Sequence, residues 1–238
     1  MKYIVVILMS ILITSCSCSK IIAQDNIESA TYQSWIAGVR GGGSGINFNL
    51  ELNEKLPSNV QLKKLMKKSY KELLPNITTF MFDVDGVFTN GDVIVMQHDI
   101  VRILNSRDGY ALQHASKMGY RILVITGGSS EQVKLRLTEL GATEVLLRCS
   151  DKLKVYEELQ LKYGFKDEEV LYMGDDIPDY RAMERAGVAT CPQDAAVEIK
   201  AICDYQSPYN GGRHCVRDVI EQTLRVQGKW FNDEAHHW

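Results

Sequence analysis

The sequence predicts an α/β fold in which a Rossmann-like parallel sheet is covered by helices on both faces. From residue 77 onward, short apolar runs alternate with amphipathic segments of helical length, the order expected when parallel strands are joined by crossover helices. Several of these runs also end in residues that carry a carboxylate or a hydroxyl. In an open parallel sheet, ligands bind beyond the carboxyl ends of the strands.

The individual elements follow from the same alternation. Strands are predicted at the apolar runs 78–82, 121–125, 144–146, 170–173 and 187–189. Helices are predicted at the amphipathic segments 109–117, 131–140, 152–163, 179–185, 195–199 and 219–226. The interval 91–105 breaks the rhythm with two short apolar runs, which predicts a β-hairpin directly after the first strand. This hairpin either covers a bound ligand or is an inert edge.

Size and charge limit the classes of function. The chain has 238 residues, 45% of them hydrophobic and 24% charged, which is ordinary for a globular protein with one main domain and an extension. A net charge of −3 with scattered Lys and Arg gives no nucleic-acid footprint, so the expected partner is a small molecule. The four cysteines after residue 148 are widely spaced and are predicted to be reduced thiols rather than zinc ligands.

The first twenty residues have the layout of a secretory signal peptide. Lys2 precedes the apolar run 4–13, and Thr14-Ser15-Cys16 follows it. The ending resembles a bacterial lipoprotein processing site with Cys16 as the acylated residue.

Residues 21–68 are predicted to be a flexible or weakly folded extension, because the composition shifts towards Asn, Ser and Gly and no amphipathic period persists. The glycines at 41–45 lack the Lys-Ser/Thr that completes a phosphate-binding loop. A self-contained domain is expected over 69–229, with a C-terminal tail at 230–238 and Met66 as an alternative start.

Two carboxylates, Asp83 and Asp85, follow the first predicted strand and precede Gly86. An Asp in this place can attack phosphorus as a nucleophile or bind a hard cation. The same pattern also occurs in ordinary turns and in calcium loops. The EF-hand loop is excluded, because Val87 and Phe88 stand where it needs an oxygen ligand and a glycine.

Two further strand ends carry groups that suit a phosphate. Thr126-Gly127-Gly128 offers a hydroxyl and backbone N–H groups just before a predicted helix, although an ordinary helix cap would look the same. Lys152 opens the helix after the third strand. A lone lysine is usually solvated, and this one matters only together with its neighbours.

The fourth strand runs into three carboxylates, Asp175, Asp176 and Asp179, within five positions. So much negative charge beside a buried strand costs free energy through mutual repulsion unless a cation offsets it. A divalent metal is the expected partner.

Taken together, these groups resemble the four motifs of the haloacid dehalogenase superfamily, which here are Asp83-x-Asp85-Gly86, Thr126, Lys152 and Gly174-Asp175-Asp176. The stretches 83–91, 105–110, 124–127, 211–213 and 227–229 further resemble the 3-deoxy-D-manno-octulosonate 8-phosphate phosphatase family. This resemblance covers about residues 69–229.

The resemblance implies a fold of the haloacid dehalogenase type with a minimal cap formed by the hairpin. It implies Mg²⁺ held by Asp83, the Asp85 carbonyl and Asp175. Asp83 would form an aspartyl-phosphate, Asp85 would act as general acid and base, and Thr126 and Lys152 would hold the phosphate and offset its charge. The residues implied to orient the metal shell are Asp176 and, ranked lower because it could simply begin the next helix, Asp179.

The implied substrate is a sugar-acid phosphate, most directly 3-deoxy-D-manno-octulosonate 8-phosphate in lipopolysaccharide precursor synthesis, with related nine-carbon sugar acids as the alternative. The implied substrate contacts are Arg107, Asp108, Gly109, Gly127 and Arg136, although Arg136 could equally be a solvated surface residue. The family pattern has Arg where this chain has Gly128, which leaves the particular sugar open. A homotetramer is implied, in which a neighbour's hairpin and tail, with 211–213 as a candidate, close each site; 211–213 could equally be a turn into the last helix.

Two other classes of function fit part of the sequence. A phosphomutase or a dehalogenase is conceivable on the same motifs, but a dehalogenase does not need Asp85. A non-catalytic, envelope-anchored binding protein would fit the lipoprotein-like start, but not the intact set of catalytic groups. The expected location is the cytoplasm, with membrane attachment only if residues 1–20 are a genuine signal.

Overall fold

The computed structural model describes residues 69–97 and 100–236. The predictions for the signal-like segment, for the extension and for the start at Met66 lie outside the described residues. The described strands are β1 Thr79–Phe82, β2 Ile94–Val95, β3 Ile100–Val101, β4 Arg121–Ile125, β5 Glu144–Leu146, β6 Val170–Met173, β7 Val188–Cys191 and β8 Tyr205–Gln206. Six of them form one parallel sheet in the order β5-β4-β1-β6-β7-β8, and β2 and β3 form the predicted antiparallel hairpin.

Helices cover both faces of the sheet, which confirms the predicted fold class. They are α1 Tyr70–Leu73, α2 Ser106–Lys117, α3 Glu131–Glu139, α4 Lys152–Tyr163, α5 Tyr180–Arg185, α6 Val197–Ile202 and α7 Cys215–Val226. α2, α3 and α7 contribute to one apolar core, and α4, α5 and α6 contribute to the core on the opposite face. No helix in these ranges is both long and apolar enough to cross a bilayer.

The strands agree closely with the apolar runs. β4, β5 and β6 have the predicted bounds, β1 begins one residue later, and β7 runs on to Cys191. β8 was not predicted, because two residues, one of them a polar Gln, carry no strand signal. Phe82 at the end of β1 lies opposite Val124 and Met173, so the carboxyl ends of β1, β4 and β6 are level.

Two helices begin earlier than predicted because of caps. α2 starts at Ser106 because the Asn105 side chain accepts a hydrogen bond from the Arg107 N–H at 2.9 Å. α7 starts at Cys215, four residues early, because the buried Asp108 carboxylate accepts from the N–H groups of His214 and Arg217, at 3.2 and 2.8 Å. The second cap comes from a residue more than a hundred positions away.

The predicted tail from residue 230 packs on the domain. Trp230 is buried, and its ring meets those of Tyr110 and His114 edge to face. The Tyr110 hydroxyl donates to the Ala235 carbonyl at 2.6 Å. The cysteines within the described ranges are free thiols, as expected from their spacing, and Cys191 and Cys215 are buried.

Candidate active site

The carboxyl ends of the central strands open into a cleft of about 380 Å³. Its walls come from the loops after β1, β4, β5 and β6, which are the positions where the sequence places its polar groups. The predicted site residues that line the cleft are Asp83, Asp85, Thr126, Gly127, Lys152, Asp175, Asp176 and Asp179. The parallel sheet therefore gathers groups that are separated by up to 96 positions in the chain.

Lys152 is the centre of the charged cluster. Its ammonium lies 2.7 Å from Asp83 Oδ2 and 2.8 Å from Asp179 Oδ1, and the residue is only 5% exposed. The Tyr172 hydroxyl also donates to Asp179 Oδ1, at 2.8 Å. The Val84 N–H donates to the other Asp83 oxygen, Oδ1, at 2.6 Å. Because both of its oxygens are bonded, the Asp83 carboxylate is held in one orientation at the floor of the cleft.

Glycines allow the loops to come this close. Gly86 has φ +78°, and a Cβ at this position would lie 1.9 Å from Asp175 Oδ2. From the other side, a Cβ on Gly211 would lie 2.0 Å from the Gly86 carbonyl oxygen, and the Gly212 N–H donates to the Val87 carbonyl at 2.8 Å. The turn at 211–213 therefore leads into α7 and packs on the loop after β1 of its own chain.

The cluster has more negative than positive charge. Burial and the neighbouring carboxylates of Asp83 and Asp179 raise the pKa of the Asp175 carboxyl to about 7. Burial and Asp179 likewise raise the pKa of Asp83, while Lys152 acts in the opposite direction. Burial alone would lower the pKa of the Lys152 ammonium, but the two carboxylates beside it outweigh burial and the net shift is upward. One cation thus faces three carboxylates.

This donor set suits a hard divalent cation. Single oxygens of Asp83, Asp175 and Asp179 lie within 4.8 Å of one another, and carboxylate oxygens are the ligands that Mg²⁺ uses. Asp179 Oδ2 is buried and has no hydrogen-bond partner among the described residues. Positive charge at this point would offset the repulsion that raises the pKa of Asp175.

Asp176 and Asp179 differ from their predicted ranking. Asp179 was ranked lower as a possible helix start, but its side chain makes no capping bond and is fully buried in the cluster. Asp176 is exposed, and its Oδ1 accepts from the N–H of the next residue, Ile177, at 2.8 Å. The structure reverses the order of the two.

The loop after β4 is tied to the loop after β5. Thr126 Oγ1 accepts from the Gly128 N–H at 3.0 Å, and the Thr126 and Gly128 carbonyls accept from the N–H groups of Cys149 and Arg148, at 3.0 and 2.9 Å. Gly127, a predicted substrate contact, lies between them in the cleft wall. These bonds hold the Thr126 hydroxyl facing the cleft from the β4 side.

The other four predicted substrate contacts do not line this cleft. Arg107 lines a separate pocket of about 230 Å³ against α7, and Asp108 caps that helix. Gly109 is buried where a Cβ would lie 3.1 Å from Leu140, so it serves close helix packing. Arg136 is exposed and lies 3.6 Å from Glu139. Within one chain, these four residues lie outside the cleft, and their role as substrate contacts stays a prediction.

Sequence reasoning missed the side chain that pairs with Asp85. The guanidinium of Arg102, just after β3, donates from Nε and Nη2 to Oδ1 and Oδ2 of Asp85, at 2.6 and 2.9 Å. Arg102 stands inside an apolar run that was interpreted only as a hairpin strand. The sequence held one signal for it: Gly128 stands where the resembled family pattern has an Arg, so a guanidinium could be supplied by another part of the chain.

Comparisons with known proteins agree with this geometry. A family model described as haloacid dehalogenase-like hydrolase matches residues 17–220. A 3-deoxy-D-manno-octulosonate 8-phosphate phosphatase of Escherichia coli K12 is 34% identical over 161 residues, which are 67% of this chain and 85% of the relative.

The chain is also similar to solved structures of the same phosphatase. The phosphatase of that name from Moraxella catarrhalis, in complex with magnesium, phosphate and a KDO molecule, is 31% identical with a TM-score of 0.65, covering 66% of this chain and 91% of that one. A cobalt-bound form from Haemophilus influenzae is 25% identical with a TM-score of 0.65, covering 69% and 98%. This chain therefore belongs to the haloacid dehalogenase-like hydrolases and, among them, to the 3-deoxy-D-manno-octulosonate 8-phosphate phosphatase family of phosphoric monoester hydrolases.

Proposed function

We propose that the protein is a Mg²⁺-dependent phosphatase that releases phosphate from 3-deoxy-D-manno-octulosonate 8-phosphate through an aspartyl-phosphate on Asp83. The observation that carries the proposal is the Asp83 carboxylate fixed 2.7 Å from the Lys152 ammonium, at the floor of a cleft that also holds Asp175 and Thr126. An anionic nucleophile and an anionic substrate can meet only where positive charge is provided.

In the first half-reaction, a carboxylate oxygen of Asp83 attacks phosphorus, and the bond from phosphorus to the sugar oxygen breaks. Asp85, two residues further along the same loop, donates a proton to the leaving sugar oxygen. Lys152 offsets the negative charge that accumulates, and Thr126 with its neighbouring N–H groups holds phosphate oxygens. In the second half-reaction, Asp85 takes a proton from the water that attacks phosphorus and frees Asp83.

The residues proposed to hold Mg²⁺ are Asp83, the Asp85 carbonyl and Asp175, with Asp179 and Asp176 supporting them. The bound ion would supply charge stabilisation for the transferring phosphoryl group. The magnesium in the Moraxella catarrhalis relative and the cobalt in the Haemophilus influenzae relative support a divalent cation at this site. The buried, unpartnered Asp179 Oδ2 supports it independently.

The first test is turnover by the full chain. With Mg²⁺, we expect phosphate release from 3-deoxy-D-manno-octulosonate 8-phosphate to exceed release from a phosphorylated sugar without a carboxylate, such as glucose 6-phosphate. Chelation with EDTA should lower kcat/KM by about a hundredfold or more, because a bound metal supplies several kcal/mol of charge stabilisation. Added Mg²⁺ should restore the rate.

Each other result identifies a different function. Preference for a nine-carbon sugar-acid phosphate would keep the chemistry and change the substrate. Ligand affinity without turnover would support the non-catalytic binding protein. Absence of phosphate release from every sugar-acid phosphate in the presence of Mg²⁺ would reject the enzyme proposal.

We also propose that the hairpin mediates self-association into the homotetramer. It exposes an unusually apolar surface for a single chain, with Val95 76% and Ile103 71% exposed. The same surface includes Val93, Ile94, Met96, Ile100 and Val101. Contiguous exposed apolar residues of this kind mark interaction sites.

A mass measurement tests the association. By size-exclusion chromatography with light scattering, the full chain should have about four times its 26.9 kDa mass, and the double variant Val95→Lys/Ile103→Lys should have a lower mass. Leu161→Lys is the matched control, since Leu161 is 87% exposed on α4 and lies outside the hairpin. A wild-type monomer would refute the proposed assembly.

A further inference from the structure

The hairpin contacts the cleft residue Asp85 through the Arg102 side chain. Its guanidinium makes a two-bond pair with the Asp85 carboxylate, at 2.6 and 2.9 Å. The Arg102 side chain is 9% exposed, so water screens the pair weakly on the arginine side, while the Asp85 side chain remains 37% exposed towards the cleft. A fork-shaped guanidinium fixes both the position and the plane of a carboxylate, which a lysine cannot do.

The space for this guanidinium depends on Gly128. A Cβ at position 128 would lie 3.3 Å from both Arg102 Nη2 and Thr126 Oγ1, and 3.5 Å from Asp85 Oδ2. The two shorter distances are tight for a Cβ contact, so with a side chain at 128 the guanidinium or the Thr126 hydroxyl would have to shift by a few tenths of an ångström. The hairpin, the loop after β4 and the loop after β1 therefore meet at one point. There the Arg102 guanidinium lies beside Gly128, which has no side chain of its own.

We propose that Arg102 is a positioning residue for Asp85 in the second half-reaction, and that Gly128 provides the space it occupies. The proposal rests on the function proposed above, in which Asp85 activates water. Both carboxylate oxygens are held by one guanidinium, which fixes the direction from which Asp85 can take a proton from water.

The water oxygen forms a bond to phosphorus of the aspartyl-phosphate, one water proton passes to the Asp85 carboxylate, and the bond from phosphorus to the Asp83 oxygen breaks. The bonding electrons return to Asp83 as its carboxylate, and inorganic phosphate leaves. A carboxylate that is free to rotate would hold the water less often in line with the scissile bond, since catalysis by a positioned base depends on geometry first.

This role predicts which step slows when Arg102 is removed. p-Nitrophenyl phosphate has a leaving group that needs no proton, so formation of the aspartyl-phosphate from it does not depend on an acid. Loss of Arg102 should then slow hydrolysis of the intermediate while leaving its formation largely intact. The intermediate should accumulate, which a general loss of folding or of metal would not cause.

The experiment measures the phosphorylated fraction of the enzyme, trapped by acid quench during steady-state turnover of p-nitrophenyl phosphate with Mg²⁺. For Arg102→Ala, we expect turnover to fall roughly ten- to a hundredfold, a partial loss of the roughly 10²- to 10⁴-fold contribution of a general base, and the trapped fraction to rise above that of the wild type. Arg102→Lys should give an intermediate defect. Asp85→Asn is the reference for a blocked second step.

Gly128→Ala tests the spatial part without removing a charge. It should raise the trapped fraction as Arg102→Ala does. The double variant Arg102→Ala/Gly128→Ala should show little more trapped enzyme than Arg102→Ala alone, because both changes disturb one contact. The matched control is Arg185→Ala, which removes an arginine paired with Glu157 at 2.7 Å, away from the cleft. This control should keep the wild-type trapped fraction.

The two proposals fail differently. If the trapped fraction of Arg102→Ala and Gly128→Ala does not exceed that of the wild type while Asp85→Asn accumulates the intermediate, the positioning role is refuted and the phosphatase mechanism stands. If Asp85→Asn and the wild type both yield no phosphorylated enzyme despite turnover, the aspartyl-phosphate mechanism itself is refuted.

Discussion

The Asp83→Asn variant is expected to lose phosphate release almost completely. We expect kcat to fall on the order of 10⁴-fold or more, since loss of the nucleophile in a covalent mechanism costs about 10⁶-fold in a well-characterised protease. The amide is a poor nucleophile and cannot form the aspartyl-phosphate, so no phosphorylated enzyme should be trapped. The rate is measured as phosphate release from a sugar-acid phosphate at saturating Mg²⁺.

The same variant should keep or gain stability without divalent ions. Burial and Asp179 raise the pKa of Asp83 in the folded protein. Ionisation of Asp83 therefore destabilises the folded state. The cost grows as the pH rises from the unfolded pKa to the folded pKa, and it is fully present above the folded pKa. Asn carries no charge and avoids this cost. A thermal midpoint well below that of the wild type at neutral pH would mean that the lost activity reflects unfolding.

Lys152→Met should have the largest effect on stability. Lys152 is buried between Asp83 and Asp179, and removing it leaves buried carboxylates without their cation. Breaking a buried ion pair from one side costs about 3–5 kcal/mol of unfolding free energy. Urea denaturation without divalent ions should show this loss, and Mg²⁺ should recover part of it by offsetting the same charges. Activity should be lost even where the protein remains folded.

Two further variants separate charge from packing. Lys152→Met combined with Asp179→Asn should recover stability, because the charge deficit is smaller, but should not recover activity. Lys162→Met removes an exposed ammonium 2.8 Å from Glu144, and an exposed pair contributes little to stability because water screens it. If Lys152→Met were no more destabilising than Lys162→Met, the ammonium would not hold the cluster together.

The strands and the polar ends of the strands could be predicted because both are local properties of the chain. β4, β5 and β6 are short apolar runs whose neighbours along the chain already mark their limits. Asp83 and Asp175 lie in the loops directly after β1 and β6, and Lys152 opens the helix that follows β5. In a parallel sheet with level carboxyl ends, knowing that these residues end strands is enough to know that they meet.

Contacts between distant residues could not be predicted in this way. Asp108 was expected to bind substrate, but it caps α7 from across the domain, since a buried carboxylate needs donors and the first N–H groups of a helix need acceptors. Asp179 was ranked low because its sequence position fits a helix cap, yet it bonds Lys152 and Tyr172 instead. Each of these roles depends on which partner lies nearby in three dimensions.

By itself, the sequence determined the parallel sheet, the hairpin after the first strand and the chemistry available at the strand ends, because apolar periodicity and residue type act over a few positions. Only the tertiary structure decided how those groups pair: Lys152 with Asp83 and Asp179, and Arg102 with Asp85 beside Gly128. The strength of an ion pair depends on the distance between atoms and on burial. Both quantities are set by packing between segments that are far apart in the chain.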